Sequence, residues 1–408
     1  QEQAGPLLTR RTVRLEEAEQ TVKPILDDVR QNGDRALRHY AERFDGLPES
    51  AALRVPETEL EAAAEMLAPA TREAMNVAIA NIREFAVAQL PREYFREFSP
   101  GRKLGQIVRP LEAVGCYIPS GRYPLVSTLL MTATLAQAAG VRHIAVASPK
   151  PTPEILAAAH ILKLTDVYRA GGAQAIAALA YGTETVQRAN RIVGPGNIYV
   201  AAAKKLLAGE VGIDFIAGPT EILILSGDGD PGVIAADMLA QAEHDVDAMA
   251  ILITTSATLA AAVQQSIEQQ LSTLPTAAVA RESIDRNSAV ILVPNLETGI
   301  RLTNEFAPEH LSLHDPSLLP QIQNAGTVFL GKHSPESAGD YAAGPSHVLP
   351  TSGVARLRGG LSAADFVKVI AIQDLSPAGL SALAPAITTM ARIEGLEAHA
   401  RAVEVRSA

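Results

Sequence analysis

The chain has 408 residues, 47% of them hydrophobic and 4% aromatic with no tryptophan, and carries a formal net charge of -10. That length outgrows a single core and calls for at least two domains, and apolar content supplied by Ala, Leu, Val and Ile suits helices packed on parallel sheets. An acidic chain without clustered Lys and Arg argues against a nucleic-acid partner, and apolar runs broken by Gly, Pro, Gln or charge argue against a membrane span. The single cysteine, Cys116, excludes an internal disulfide and a cysteine-rich zinc site and fits a reducing, cytoplasmic setting. Beside Tyr117 it reads as a buried, apolar-like residue and not as a nucleophile. The first residues show no basic segment followed by an apolar one, so neither secretion nor membrane insertion is expected.

In chain order, residues 15–95 carry a helical period through Ala18, Val22, Ile25, Leu26 and Val29, with Asn32-Gly33-Asp34 as a stop and restart. From 107 onward, short β-branched runs alternate with helical ones: strands at 143–147, 167–168 and 191–193, helices at 152–163 and 173–181. A second cassette follows, with strands at 222–225, 249–254, 289–293 and 327–330 and helices at 232–244 and 257–272. Such alternation means βαβ units and parallel sheets, in two similar α/β lobes. After Pro350 the strand pattern is lost; a loop with Gly353, Gly359 and Gly360 leads into helices too short for a core of their own. That tail must dock on another lobe or on a second subunit.

Gly227, Gly229 and Gly232 match the spacing of a dinucleotide fingerprint between a strand and a helix. The chemistry opposes it. Asp228 and Asp230 would repel a pyrophosphate, and Pro231 removes an N–H donor from the helix start. The segment reads as a plain turn in which Asp230 caps the helix and Pro231 is its first residue.

Several residue groups can carry chemistry. Gln241 and His244, three apart on a helix, lie on one face and can share a metal or merely cap the helix end. Asp340 sits among glycines and small residues in 336–344, and His399 follows Glu394 near the end of the chain. Two imidazoles, a carboxylate and an amide oxygen would suit zinc with room for substrate, although spacing alone does not assemble them. Glu309 and His310, just before an apolar run, offer a carboxylate base and an imidazole that exchanges protons near neutral pH; they read equally as loop residues. Gly194-Pro-Gly-Asn197 and Gly171-Gly-Ala-Gln174 open helices without bulky side chains, so a cofactor cleft or two ordinary turns are both open readings.

Taken together these stretches resemble the histidinol dehydrogenase family over nearly the whole chain. The segments that carry the likeness are 117–121, 171–182, 194–197, 217–221, 241–244, 307–311, 334–340 and 347–351, in the family's order. The resemblance implies zinc held by Gln241, His244, Asp340 and His399, the last given to the site by the partner in a homodimer. It implies NAD contacts from Tyr117, Gln174 and Asn197, and L-histidinol contacts from Thr220, His310, His347 and Glu394 together with the zinc ligands. Glu309 corresponds to the base that activates water and His310 to its acid/base partner, in a four-electron oxidation through the aldehyde. The implied fold is α/β, two similar incomplete Rossmann-like lobes with helical N- and C-terminal elements that support a dimer. The expected division is a segment 1–14, a first lobe of 15–110 with 239–352 bearing the metal and catalytic residues, a second lobe of 111–238 on the NAD side, and a tail of 353–408. This sequence departs from the family pattern at Thr220, where serine is usual, at Ser120, where glycine is usual, and in the 122–126 loop. Two other readings compete: a related zinc and NAD dehydrogenase for another small polar alcohol, which Glu394 disfavours because an acid suits an ammonium, and a non-catalytic ligand-binding homologue.

Overall fold

A computed structural model describes residues 4–120, 123–216 and 218–407, with side chains from residue 15 to 406 apart from the omitted positions. Gly121, Arg122 and Ala217, which belong to stretches singled out above, lie outside the described residues, as do all the side chains of the 1–14 segment.

Helix α1 (Ala4–Tyr40) kinks at Gly33, whose φ of 51° and ψ of -132° break the helical geometry where the stop signal stands. Helices α2 (Glu57–Glu65) and α3 (Pro69–Gln89) follow, then an antiparallel pair β1 (Tyr94–Ser99) and β2 (Arg102–Pro110).

The N-lobe comprises β3 (Ala113–Tyr117), α4 (Val126–Ala138), β4 (His143–Ala147), α5 (Pro153–Ile161), β5 (Asp166–Tyr168), α6 (Gly172–Tyr181), β6 (Arg191–Val193), α7 (Ile198–Leu207) and β7 (Gly212–Ile213). Its sheet is parallel with order β5-β4-β3-β6-β7. Alternate residues explain its two buried faces: Val114 and Cys116 of β3 join the α4–α5 side, whereas Tyr117 joins the α6–α7 side. Gly115 leaves room on that second face for Leu179, which a Cβ would meet at 2.9 Å. Burial pushes the Cys116 thiol up to about 12, which leaves it inert as the sequence reading expected.

The C-lobe comprises β8 (Glu221–Leu225), α8 (Pro231–Ala242), β9 (Met249–Thr254), α9 (Ala257–Leu271), α10 (Ala277–Asn287), β10 (Ala289–Leu292), α11 (Leu296–Phe306), β11 (His310–Leu313), β12 (Thr327–Leu330) and α12 (Glu336–Tyr341). Its parallel sheet has order β10-β9-β8-β11-β12, the same permutation as the N-lobe. Ile222 and Ile224 face one core and Leu223 and Leu225 the other, as period-two alternation requires. Both sheets have the first five strands of a doubly wound dinucleotide-binding sheet, so two incomplete Rossmann-like lobes is an accurate description.

Three details differ from the sequence reading. The change of lobe falls between β7 and β8, not at 238, because β8 hydrogen-bonds to β9 and β11 and α8 runs through residue 238. The helices of 15–110 pack on the N-lobe: α1 against α6 and α7, α2 against α5, and α3 against α4. The tail also contains a strand, β13 (Val367–Leu375), paired antiparallel to β2 from Val367↔Pro110 to Leu375↔Arg102. Beyond it, α13 (Pro377–Ile393) and α14 (Glu397–Ser407) pack chiefly on each other and on β13. Among the described residues no helix is long and apolar enough to cross a membrane.

Candidate active site

The candidate site is built at the N-terminal edge of the C-lobe sheet. Helix α11 ends at Ala307 in a left-handed conformation with φ 54°, and the chain turns through Pro308 to enter β11 at His310. That sharp exit places both Glu309 and His310 inward, with 5% and 3% of their surface exposed. Glu309 Oε2 accepts from the Thr220 hydroxyl at 2.7 Å and from the Glu221 amide at 2.8 Å, two groups at the start of the neighbouring strand β8. Burial, and then the nearby charges of Glu221 and Asp340, hold the Glu309 carboxyl well above the usual carboxylate range, against the pull of its bonds to Thr220 and Glu221.

His310 Nδ1 lies 3.1 Å from the Glu221 carbonyl oxygen, so that nitrogen carries the proton and donates. Its Nε2 is buried and has no hydrogen-bond partner among the described residues. Burial lowers the imidazole to about 4, which keeps it neutral and leaves a bare lone pair on Nε2.

Around this ring stand Glu336 and Asp340 of α12, four residues apart and therefore on one helix face. Glu336 Oε1 is 3.6 Å from His310 Nδ1 and Asp340 Oδ1 is 3.9 Å from His310 Nε2. Burial, with Asp340 and Glu309 nearby, raises the Glu336 carboxyl well above its usual range. Asp237 of α8 is raised to about 6 by burial and adds to the same acidic pocket. Gln241, one turn further along α8, is fully buried between Thr220 and Glu336. Turned one way, its amide donates to the Thr220 hydroxyl at 2.8 Å; turned over, it donates to Glu336 Oε1 at 2.6 Å and Oε2 at 3.2 Å.

The structure therefore brings Thr220, Gln241, Glu309, His310 and Asp340 together. His244 is exposed at the rim, with Nδ1 2.9 Å from the Ala240 carbonyl oxygen, near enough for its charge to weigh against protonation of His310 and His347. His347 bridges the lobes: Nδ1 donates to the Asp340 carbonyl at 2.9 Å and Nε2 accepts from the Thr128 hydroxyl of α4 at 3.0 Å. Glu394 and His399 are not brought in; they line a separate shallow apolar hollow of about 400 Å³ with Ile387, Met390 and Leu396. Sequence reasoning missed Glu336 and Glu221. The first had a readable signal in its four-residue spacing from Asp340.

The pocket fits a divalent cation. His310, Glu336 and Asp340 bring ligand atoms within 4.8 Å of one another, a neutral amide adjoins them, and the imidazole nitrogen facing Asp340 is buried without a hydrogen-bond partner among the described residues.

The N-lobe offers a different surface. In a sheet of this order the crevice opens beyond the carboxyl ends of the strands, between β3 and β6. Tyr117 ends β3, and the 194–197 turn follows β6. Asn197 caps α7, its Oδ1 accepting from Tyr199 and Val200 amides at 3.0 and 3.1 Å. Tyr117 Oη accepts from the Gly172 amide at 3.1 Å, so both glycine turns meet at this edge. Gln174 is 2% exposed and its amide donates to Asp45 Oδ2 at 3.2 Å; Asp45, which the sequence reading did not single out, also accepts from the Gly171 amide at 2.8 Å.

Fold and site define an α/β oxidoreductase-like class: twin nucleotide-type sheets, one with glycine turns and one with a buried acid and imidazole. The comparisons with known proteins carry the assignment further. The family model described as "Histidinol dehydrogenase" matches residues 8–407. A histidinol dehydrogenase of Syntrophotalea carbinolica is 47% identical, covering 98% of this chain and 95% of its own. One from Rhizobium meliloti is also 47% identical, covering 99% and 95%. The crystal structure of histidinol dehydrogenase from Elizabethkingia anophelis superposes with a TM-score of 0.92 at 37% identity, covering 95% of this chain and 91% of that one. The chain belongs to the histidinol dehydrogenase family, an NAD- and zinc-dependent dehydrogenase family.

Proposed function

We propose that this chain oxidises L-histidinol to L-histidine by way of L-histidinaldehyde, using two NAD and one water. The observation that carries the reading is the buried pair Glu309–His310, held by the start of β8 so that His310 Nε2 presents an unbonded lone pair. When bound, NAD supplies the hydride acceptor, and zinc supplies positive charge and an anchor for substrate nitrogens. Gln241, His244 and Asp340 would hold the zinc, with His399 given by a second copy of the chain. Tyr117, Gln174 and Asn197 would line the NAD crevice, Gln174 through its backbone or after release from Asp45.

In the first half-reaction His310 Nε2 takes the hydroxyl proton of the alcohol as hydride leaves its carbinol carbon, and the aldehyde results. Glu309 then takes a proton from water as the water oxygen adds to the aldehyde carbon. The adduct, left with a negative charge on the former aldehyde oxygen, loses a second hydride and its remaining hydroxyl proton to give the carboxylate. Thr220 and the Glu221 amide fix the Glu309 carboxyl through Oε2, so Oε1 is the oxygen aimed at water. His347, whose ring nitrogens already bridge Asp340 and Thr128, would reach substrate by exchanging the Thr128 bond.

A homodimer goes with this reading. The α13–α14 arm exposes Met390, Ile393, Leu396 and Val405, and the β1–β2–β13 sheet exposes Phe95, Phe98, Val369 and Ile370. Covering these would bring Glu394 and His399 to a neighbour's site. A cytoplasmic setting is proposed as well, since the one thiol is buried and unpaired. The test is NADH formed per L-histidinol consumed, with zinc-loaded and chelator-treated enzyme side by side. Two NADH per substrate, lost on chelation, is the expected result; no turnover by zinc-loaded enzyme would move the assignment to another alcohol.

A further inference from the structure

Two charged side chains buried in the N-lobe make no contact with the acid–imidazole pair among the described hydrogen bonds and ion pairs and have no part in the chemistry above. Lys204 of α7 and Asp214, just after β7, pair at 2.7 Å with side-chain exposures of 3% and 0%. Both also grip one residue, Gly194, at the end of β6. The Gly194 amide donates to Asp214 Oδ2 at 2.8 Å, and Lys204 Nζ donates to the Gly194 carbonyl at 2.5 Å. Asp214 Oδ1 accepts further from the Phe215 amide at 2.7 Å, and Arg358 donates to the Asp214 carbonyl at 2.7 Å.

An ion pair this deep is a poor route to stability, because packed apolar residues of similar volume serve as well or better. What apolar residues cannot supply is a donor and an acceptor for the backbone of a single glycine. Gly194 needs both: its φ is +112°, and a Cβ would fall 2.1 Å from the Tyr117 carbonyl oxygen, so this turn lies directly against the end of β3. The pair thus ties the ends of β6 and β7 and the body of α7 to the residue that opens the 194–197 turn.

We propose that Lys204 and Asp214 are positioning residues for the dinucleotide, holding the Gly194 turn in its binding shape so that the ordering cost is met at folding and not on binding. The proposal rests on the reading that NAD lies beyond the ends of β3 and β6. A turn held this way raises affinity for ground state and transition state alike, so its loss moves KM and leaves kcat.

The test uses full-length zinc-loaded enzyme and the variants K204M, K204M/D214N and, as a control on the turn itself, N197A. The double variant removes both charges while keeping an amide oxygen for Gly194, and decides the matter if K204M alone does not fold. NADH affinity by fluorescence titration, KM for NAD, kcat at saturating NAD, zinc content and melting temperature are measured together. Expected is a weakening of NADH binding and a rise in KM for NAD of about three- to tenfold, with kcat and zinc content kept, the loss of about one hydrogen bond's worth of order. A fall in melting temperature with NADH affinity unchanged in the Lys204 variants but weakened in N197A would overturn the proposal and leave the cofactor site standing. Unchanged affinity in all three would remove the cofactor site and the proposal with it.

Discussion

The two lobes share one strand order and use opposite edges of it. In the N-lobe the edge proposed for the cofactor is the carboxyl end of β3 and β6, where the buried Tyr117 stands beside the 194–197 turn, exposed only from Asn197 onward. In the C-lobe the equipped edge is the amino end of β8 and β11, where Glu221, Glu309 and His310 are buried beside the half-buried Thr220. The carboxyl edge of the C-lobe, where topology alone would seat a dinucleotide, holds instead the 227–232 glycines, and there Asp230 Oδ1 is engaged by the Gly232 amide at 2.7 Å. On the function proposed above, one sheet permutation serves two purposes because side-chain chemistry at the edge, and not strand order, decides what an edge can bind.

The strongest way to break this comparison is at the amino edge of the C-lobe. Glu309→Gln keeps the volume and the bond to Thr220 but cannot take a proton from water. Overall oxidation should fall by roughly 10²- to 10⁴-fold, with aldehyde oxidation hit harder than alcohol oxidation. Rates measured separately from the alcohol and from the aldehyde decide this; a variant fully active in the second half-reaction removes Glu309 as the base.

The next effect is at the N-lobe edge. Gly194→Ala must put a side chain at a φ of +112° and 2.1 Å from a carbonyl oxygen. Strain and clash together should cost about 2–4 kcal/mol of stability, and NADH binding should weaken at least about tenfold with zinc content unchanged. Gly227→Ala at the C-lobe turn meets Thr255 Oγ1 at 3.4 Å and Leu296 Cδ2 at 3.8 Å, so its stability should shift by no more than about 0.5 kcal/mol and its NADH affinity not at all. Equal effects of the two alanines on NADH binding would erase the distinction between the edges.

How much of this was legible in the sequence differs between the lobes for a physical reason. Most strands in both followed from alternating texture, because strands buried on both faces, such as 143–147 and 249–254, are short continuous apolar runs, but the central strands β3 and β11 were not marked out. Asp230 as cap and Pro231 as first helical residue were readable because a cap is a local contact. Strand β13 was missed because it is an edge strand with most residues exposed, and its partner β2 is some 265 residues away in the chain, Lys368 opposite Arg109 being one pair. The helices of 15–110 were grouped with the wrong lobe since periodicity says that a helix has an apolar face and not which sheet that face meets. Glu309 and His310 stood out by residue type, whereas Lys204 and Asp214 had no local signal at all: their meaning lies in a shared grip on Gly194.

Glu336 sharpens the comparison from the electrostatic side. Burial, with Asp340 and Glu309 beside it, holds its carboxyl well above the ordinary value of 4.5, so the metal-free fold keeps a proton that the unfolded chain releases. The stabilisation tied to that proton is present below about pH 4.5 and is lost as pH rises toward the raised value. Metal-free protein compared at pH 5 and pH 8 should therefore be the less stable at the higher pH. Glu336→Gln, neutral throughout, should flatten that slope and exceed the parent at pH 8 by on the order of 1–3 kcal/mol. Zinc should reverse the order by favouring the parent's charge. Unfolding at both pH values after chelation measures it, and an unchanged slope would show that the proton is held elsewhere.

The smallest effect tests the 227–232 glycine turn, which has the spacing of a dinucleotide fingerprint but reads as a helix cap. Asp230→Ala removes the cap of α8, whose side chain accepts from the Gly232 amide at 2.7 Å. The loss should be about 1 kcal/mol of stability. If a pyrophosphate bound at this helix start, removing a carboxylate would strengthen NAD binding, since a like charge would leave the anion's side. If the turn is only a cap, NADH affinity stays where it was while the melting temperature falls by a degree or two. The sign of the affinity change therefore separates the readings more cleanly than its size: tighter binding in Asp230→Ala would return the dinucleotide to the C-lobe, and unchanged binding leaves it on the N-lobe, beyond Tyr117 and Gly194.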